Sequence, residues 1–287
     1  MTLSGGIDIG GTKIAAHLFG PGGEVLFRHR APTPQTYPAL VEALQDLIAA
    51  IRSEAGEACP VGIGLPGRVD PVTGGIDAAN LPLSGHILQS DLPDGVALLN
   101  DVRAFALGEA AKVPEGSQTL VGLAIGTGLA AACVPGPVGS TGIGGEIGHL
   151  PLPAPLVMER GLPLLDCPCG RQGCMETLFS GPGLTRLAAH RRGAALSSEE
   201  AAEDPGIWDD WLAIGAHVLL LLVHTYDPHR IVLGGGLSAR PDLARDLTAR
   251  LEELIWEDTS APAIEVSTDP VLSATRGAAR FAQKRER

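Results

Sequence analysis

Apolar residues along the chain follow two periods, which predict an alternation of strands and helices. Alternating or continuous apolar stretches predict two strands within residues 6–19, two within 122–132, and single strands at 61–65, 96–99, 231–234 and 264–267. Apolar positions at helical spacing predict helices at 38–55, 102–111, 208–226, 241–256 and 273–283, while residues 142–174 are rich in loops. Since strands and helices alternate, the sequence predicts an α/β fold.

One strand–glycine turn–strand pattern occurs twice. The stretch 6–16 aligns with 122–132, and the matches include Ile9 with Ile125 and Gly10 with Gly126. Repetition of a supersecondary unit predicts a duplicated domain. We therefore expect two similar lobes, residues 1–110 with 273–287 and residues 111–272, each offering a glycine turn to a cleft between them.

The composition is that of a folded, acidic protein. Hydrophobic residues make up 45% and charged residues 19% of the 287 residues, and the formal net charge is −12. No basic run stands out, which argues against a nucleic-acid partner. The longest strongly apolar run, 218–223, is too short to cross a bilayer, and the N-terminus has no signal-peptide pattern. We therefore expect a cytoplasmic protein without a membrane partner.

Three predicted strands end in glycine turns: Gly10-Gly11, Gly126-Thr127-Gly128 and Gly234-Gly235-Gly236. Glycine lets the backbone approach a ligand closely and point N–H groups at it, an arrangement that suits phosphate. Thr12 adds a hydroxyl donor and Lys13 a positive charge at the first turn. An ordinary hairpin turn is the alternative for any one of them, but three together favour phosphate binding. Neither the dinucleotide fingerprint nor a Walker A sequence is present.

Asp101 follows a predicted strand and precedes a predicted helix. Open α/β sheets bind ligands at the carboxyl ends of their strands, so Asp101 is a candidate catalytic base. The same position suits the N-cap of the helix, and the spacing does not separate the two interpretations.

Three of the five cysteines lie close together on a glycine-rich stretch: Cys167, Cys169 and Cys174. With His149, they make a Cys3His set of the kind that binds zinc in a tetrahedron. Three reduced thiols without a metal are the alternative. The other two, Cys59 and Cys133, stand alone in apolar segments and are expected in the core.

Together these features resemble the ROK family of bacterial sugar kinases and repressors, over essentially the whole chain. The matching motifs are 8–13, 64–67, 100–101 followed by 108–109, 126–128, 146–149, 167–176 and 234–236. The resemblance implies two actin-like (ribonuclease H-like) lobes with an interdomain cleft. It also implies a homodimer that phosphorylates a sugar with ATP and Mg²⁺ and carries a structural Zn²⁺.

The family pattern implies a role for each matching residue. Asp101 takes the proton from the sugar hydroxyl, and the sugar is bound by Asn80, Asn100, Glu146, His149 and Glu176. Zinc is held by His149, Cys167, Cys169 and Cys174. The ATP phosphates and Mg²⁺ are lined by Asp8, Gly10, Gly11, Thr12, Lys13, Gly126, Thr127 and Gly128, and the nucleoside lies near Gly234, Gly235 and Gly236. Ala130 and Ala132 stand where the family usually has glycine, and only a slight change is expected because alanine suits a strand.

A shorter resemblance implies the sugar. Residues 78–85, which include Asn80, resemble the sugar loop of members that phosphorylate N-acetylglucosamine, and the tryptophan that many glucose-specific members carry after this asparagine is absent. We therefore expect phosphorylation of N-acetylglucosamine at its 6-hydroxyl, with glucose as the alternative. A non-catalytic sugar sensor is the alternative of another class. It is disfavoured because the first motif begins at Gly6, which leaves no room for a preceding DNA-binding domain.

Overall fold

The computed structural model describes residues 2–56, 58–70, 72–78, 81–135, 144–193 and 195–285. These residues form eleven strands: β1 (Ser4–Ile9), β2 (Lys13–Phe19), β3 (Val25–Pro32), β4 (Val61–Leu65), β5 (Arg68–Val69), β6 (Ile76–Asp77), β7 (Val96–Asn100), β8 (Leu120–Ile125), β9 (Leu129–Val134), β10 (Arg230–Gly234) and β11 (Ala263–Val266). They also form eight α-helices: α1 (Tyr37–Ala55), α2 (Asp101–Ala110), α3 (Ala154–Arg160), α4 (Gly181–Arg192), α5 (Ser198–Glu203), α6 (Pro205–Tyr226), α7 (Leu243–Glu252) and α8 (Pro270–Arg285).

Two main sheets repeat one arrangement. The first has the order β3-β2-β1-β4-β7, with β1 antiparallel to β2 and parallel to β4. The second has the order β11-β10-β8-β9, with β8 parallel to β10. The strands that lead into the first and second glycine turns, β1 and β8, each lie between the strand that follows the turn and a parallel strand. This common order confirms the duplication that the sequence predicts.

The chain divides into two compact units. Unit 1 comprises Met1–Ser117, Ala132–Gly144 and Thr268–Arg287, and it contains the first sheet with α1, α2 and α8. Unit 2 comprises Gln118–Ala131 and Gly145–Ser267, and it contains the helices α3 to α7 and the second sheet apart from the end of β9. The lobe boundaries expected from the sequence stay a prediction.

The C-terminal helix α8 packs on the sheet of unit 1 at glycine positions. A Cβ on Gly6 of β1 would lie 1.8 Å from the carbonyl O of Thr275. A Cβ on Gly62 of β4 would lie 1.9 Å from the carbonyl O of Ala278. No side chain fits at these distances, so glycine is what allows the helix backbone to approach the strands.

The longest helix of unit 2, α6, has the length and composition of a membrane-crossing helix, with a mean hydropathy of 1.5 over its most apolar stretch. Its contacts are those of a core helix. Trp211 is fully buried, and its ring lies 4.2 Å from that of Phe179. Asp210 is buried on the same helix and pairs with Arg160 and Arg191 at 3.1 and 2.7 Å. A buried carboxylate with two arginine partners fits a helix that packs within unit 2.

Some elements escape sequence prediction for identifiable reasons. The edge strand β3 has mostly exposed or partly exposed side chains, so its apolar pattern is weak. Helix α4 begins with Gly181, Pro182 and Gly183, residues that usually mark loops. Helix α3 interrupts the stretch 142–174 that the sequence suggests is rich in loops.

Candidate active site

The turn between β1 and β2 forms the first part of the site, in unit 1. The Gly10 N–H donates to the Lys13 carbonyl O at 2.9 Å and closes the turn. The Thr33 hydroxyl donates to Gly10 O at 2.7 Å, and the Thr33 N–H donates to Thr12 O at 3.0 Å. Gly11, Thr12 and Lys13 are exposed, and the N–H groups of Gly11 and Thr12 donate to no residue that the structure describes. These donors are therefore available to an anion.

Asp8 and Asp101 lie at the carboxyl ends of β1 and β7, the two strands that flank β4 in the sheet of unit 1. Asp8 pairs with Gly64 of β4, which in turn pairs with Leu99 of β7. A Cβ on Gly64 would lie 3.7 Å from Asp8 Oδ1 and 3.6 Å from Asp101 Cα. Burial, and to a smaller extent the charge of Asp101, raises the pKa of Asp8 to about 7. Two carboxylates at one sheet edge favour a proton or a cation nearby.

Asn100 is the N-cap of α2. Its Oδ1 accepts the N–H groups of Val102 and Arg103 at 3.0 and 3.2 Å, and its Nδ2 donates to Gly67 O at 3.2 Å. Asp101 is the first residue of the helix, and its Oδ1 accepts the Val102 N–H at 2.8 Å. The capping interpretation of Asp101 is therefore wrong, because the residue before it provides the cap.

The loop expected to face the sugar is closed by Ser84. The Ser84 hydroxyl donates to Ala78 O at 2.8 Å and accepts the Ala78 N–H at 3.0 Å. Gly85 follows with φ +82°, a conformation that favours glycine. Asn80, which the sequence places in the sugar site, lies outside the described residues.

The second glycine turn joins β8 and β9 in unit 2. The Gly126 N–H donates to Gly128 O at 3.0 Å, which closes the turn as in the first unit. Ala130 and Ala132 lie within β9, and Asp227 is the one non-glycine residue with positive φ in the described part of the chain. Alanine at 130 and 132 is therefore unstrained, as the sequence analysis expects.

Two further elements reach the second turn. Glu176 Oε2 accepts the Leu129 N–H at 2.8 Å. The glycine run at the end of β10 lies beside the same turn, since a Cβ on Gly235 would lie 2.2 Å from the carbonyl O of Ile125. Gly235 also has φ +95°, so both its conformation and its neighbour require glycine.

His149, Cys167, Cys169 and Cys174 form a cluster in unit 2 whose ligand atoms all lie within 4.8 Å of one another. His149 Nδ1 lies 3.4 Å from Cys167 Sγ, and Cys169 Sγ lies 3.6 Å from Cys174 Sγ. A tetrahedral zinc ion, with bonds of about 2.3 Å to sulfur and about 2.0 Å to nitrogen, sets these separations at about 3.5 and 3.8 Å. The cluster therefore brings together four donor atoms that could hold a metal ion, and two of their separations are close to those of a tetrahedral site.

Charged neighbours support metal binding by this cluster. Glu146 Oε2 lies 4.0 Å from His149 Nε2, while Nδ1 of the same ring faces Cys167. At this distance the pair is not hydrogen-bonded, but the carboxylate favours a ring orientation in which Nε2 faces Glu146 and Nδ1 faces the cysteines. Hydrogen bonds from Arg171 lower the pKa of Cys169 to about 6, whereas burial raises the pKa of Cys174 to about 12. A cation is what allows a buried thiol such as Cys174 to ionise.

The structure places the sequence-predicted residues in two groups. Unit 1 carries Asp8, Gly10, Gly11, Thr12, Lys13, Asn100 and Asp101. Unit 2 carries Gly126, Thr127, Gly128, Glu146, His149, Cys167, Cys169, Cys174, Glu176, Gly234, Gly235 and Gly236. Two residues that hold the turns are not among the sequence-predicted site residues. They are Thr33, at the first turn, and Gly181, which donates its N–H to Gly126 O at 2.9 Å. Neither has a local signal, because each contact joins distant parts of the chain.

Comparison with known proteins gives a match over nearly the whole chain. Residues 4–285 match the ROK family. The N-acetyl-D-glucosamine kinase of Escherichia coli O139:H28 (strain E24377A / ETEC) is 36% identical over 297 residues, which covers 96% of this chain and 97% of that protein.

Solved structures agree with this family match. The ROK hexokinase from Thermus thermophilus has a TM-score of 0.79 at 27% identity and covers 99% of this chain and 100% of its own. A ROK family glucokinase from Streptomyces griseus, in complex with glucose and AMPPNP, has a TM-score of 0.75 at 26% identity and covers 98% of this chain and 99% of its own. These matches confirm the actin-like α/β fold expected from the sequence.

Proposed function

Because the chain belongs to the ROK family, we propose that it transfers the γ-phosphoryl group of ATP to a hydroxyl of a hexose or an N-acetylhexosamine. The position of Asp101 carries this proposal. It lies at the carboxyl end of β7, close to Asp8, and it does not cap α2. A carboxylate at that edge suits a base that acts on a bound ligand. The kinase names of the relatives support the same reaction.

Asp101 is the base in this reaction. A sugar hydroxyl is a weak nucleophile, and its proton passes to the Asp101 carboxylate as its oxygen attacks the γ-phosphorus. The bond between that phosphorus and the bridging oxygen of ADP breaks. ADP and the sugar phosphate leave, and Asp101 returns its proton to water.

The glycine turns bind the phosphates. The exposed N–H groups of Gly11 and Thr12 and the charge of Lys13 support this role for the first turn. Asp8 and the acidic sheet edge around it are the candidate position for Mg²⁺, which when bound offsets the charge on the phosphates. We assign the run Gly234–Gly236 to the neighbourhood of the nucleoside.

We assign zinc to the cluster of His149, Cys167, Cys169 and Cys174. The role is structural, because four protein ligands leave no open position for a substrate. Glu146 lies three residues before His149, and Glu176 lies two residues after Cys174. A metal ion that orders the segments around His149 and Cys174 would therefore hold both carboxylates in place for the sugar.

The preferred sugar is N-acetylglucosamine, phosphorylated on its 6-hydroxyl. Ser84 and Gly85 are small residues, and this supports the proposal because a tryptophan in this loop would exclude an acetamide group. We assign the second side-chain N–H of Asn100 to the sugar, because its oxygen and its other N–H are used by α2 and by Gly67 and no described residue accepts from it. Glucose is the second candidate, and the name of the Streptomyces griseus relative supports it.

A coupled assay of ADP release tests the proposal. The sugars are N-acetylglucosamine, N-acetylmannosamine, glucose, mannose and fructose, each with saturating ATP and Mg²⁺. We expect the highest kcat/KM with N-acetylglucosamine. A tenfold advantage for glucose would overturn the choice of sugar but not the kinase assignment. Absence of turnover with every sugar would favour a non-catalytic sensor.

The assembly and the location are part of this proposal. We expect a cytoplasmic homodimer that binds sugar and ATP. The net charge of −12 gives no support for a nucleic-acid partner. Sedimentation equilibrium at micromolar concentration tests the dimer, and a single species at the mass of one chain, 29.5 kDa, would contradict it.

A further inference from the structure

The carboxylate of Glu176 reaches the end of the second glycine turn, 47 residues earlier in the chain. Its Oε2 accepts the Leu129 N–H at 2.8 Å. A Cβ on Gly128 would lie 2.7 Å from the same oxygen, so the carboxylate occupies the space of a side chain at that position. Glu176 thus supports the turn directly.

The other end of the turn is held by the same segment. The Gly181 N–H donates to Gly126 O at 2.9 Å. The Ser180 hydroxyl donates to the carbonyl O of Glu176 at 2.8 Å, and the indole N–H of fully buried Trp211 donates to Ser180 O at 3.3 Å. Residues 176–181 therefore form hydrogen bonds to both ends of the turn. The buried Trp211 connects the same residues to the core of unit 2.

The Cys/His cluster is adjacent to residues 176–181 in sequence, through Cys174, and in space, through the backbone around His149. Cys174 is two residues before Glu176, and the Met175 N–H donates to Leu150 O at 2.8 Å. Gly148 precedes His149, and a Cβ on it would lie 3.1 Å from Glu176 Cβ and 2.4 Å from Leu129 O. The backbone around His149 therefore packs against Glu176 and the start of β9 together.

We propose that Glu176, besides facing the sugar, is a positioning residue for the second glycine turn. The inference rests on the proposed function, in which this turn holds the ATP phosphates. Because Oε2 takes the Leu129 N–H, the donors left for a phosphate are the N–H groups of Thr127 and Gly128, which donate to no residue in the described part of the chain. Glu176 sets the direction of these donors.

The role requires an acceptor oxygen at the right distance and not a negative charge. A negative charge beside a phosphate is repulsive. Glutamine keeps the length and the acceptor oxygen of Glu176 but removes the charge. Aspartate keeps the charge but is shorter by one methylene, so it does not reach the Leu129 N–H. These two conservative variants separate position from charge.

The experiment measures the Kd of ADP with Mg²⁺, without sugar, by titration calorimetry. We expect Glu176→Gln to bind ADP within about twofold of wild type or more tightly. Glu176→Asp and Glu176→Ala should bind about five- to tenfold more weakly, the effect of one lost hydrogen bond. Sugar binding should weaken in all three. Hydrogen exchange of the Leu129 amide should accelerate in the Asp and Ala variants only.

Glu146→Gln is the matched control. Glu146 lies three residues before His149 and 4.0 Å from its ring, so in a variant with the metal content of wild type its replacement should weaken sugar binding and leave the ADP Kd unchanged. Metal content and thermal unfolding check that each variant is folded. If Glu176→Ala does not fold, the Gln and Asp variants decide the question.

Two results would overturn the inference. One is an Asp variant that binds ADP like wild type, and the other is a Gln variant that binds ADP as weakly as the Asp variant. Failure of the proposed function has a different signature, because a wild-type protein that phosphorylates no sugar still gives an ADP Kd for each variant.

Discussion

Replacing Gly277 with alanine should have two opposing effects on stability, one from helix propensity and one from packing. Gly277 lies in the interior of α8, where propensity alone predicts that alanine stabilises the protein by about 1 kcal/mol. A Cβ on Gly277 would lie 1.7 Å from the carbonyl O of Ala104 and 2.7 Å from the N of Gly108, both on α2. Non-bonded atoms rest at about 3.5 Å, so α8 and α2 would have to separate by roughly 1.5–2 Å.

The packing term should win. Overpacking costs about 1–3 kcal/mol where side chains can adjust, and here the opposing atoms belong to a backbone. We therefore expect a net loss of about 2 kcal/mol after the gain in propensity. Because α2 begins at Asp101, separating the helices also moves the base. A misplacement of about 1 Å can cost about 100-fold in rate, so kcat should fall with stability.

Thermal unfolding and steady-state kcat measure both effects. We expect the melting temperature of Gly277→Ala to fall by about 4–8 °C. Gly206→Ala is the control, since a Cβ there has Asp204 Oδ1 at 3.4 Å as its nearest neighbour. That variant, in the first turn of α6, should match wild type or be slightly more stable. A Gly277→Ala protein with unchanged melting temperature and kcat would refute the packing argument.

Three further outcomes are expected. Asp101→Asn should lower kcat by about 10²–10⁴ with sugar Kd nearly unchanged, since asparagine keeps the oxygen that accepts the Val102 N–H; more than half of wild-type kcat would exclude a base. Elemental analysis should find one zinc per chain, and less than about 0.2, with full activity after chelation, would contradict the assignment. Burial lowers the pKa of His17 below 6.5 in the folded protein. As pH falls, His17 is therefore protonated in the unfolded chain before it is protonated in the folded one, and stability is lost from pH 6.5 downward. Between pH 7 and pH 5, the melting temperature of His17→Gln should therefore fall by less than that of wild type. An equal fall in the two proteins would argue against a contribution from His17.

The sequence predicts those parts of the molecule whose signal is local. The glycine turns follow strands with clear apolar patterns, and the strand at 61–65 is found as β4 with the same bounds. The Cys/His cluster is predictable because three of its ligands lie within one short loop. Asn100 and Asp101 are adjacent, so spacing cannot decide which of them caps α2. The hydrogen bonds to Val102 and Arg103 decide it.

Long-range contacts are what the sequence leaves undetermined. The approach of α8 to Gly6 and Gly62 has no local sign, because glycine in a strand can equally indicate a bulge. The same holds for Thr33 at the first turn and for Glu176 at the second. In each case the residue type is compatible with many roles, and only the fold selects its partner.

The duplicated turns differ in their supports. Thr33, which follows β3 of the same sheet, holds the first turn. The second is held by Glu176 and Gly181, from the segment that follows the last cysteine of the cluster. Hydrogen bonds at both ends shape this turn, and neither Ala130 nor Ala132 has positive φ. The conformational freedom of glycine is therefore not needed at positions 130 and 132. Because Glu176 lies next to the Cys/His cluster in the chain, disorder in that cluster should also disturb the second turn. The contacts that hold the first turn should stay intact.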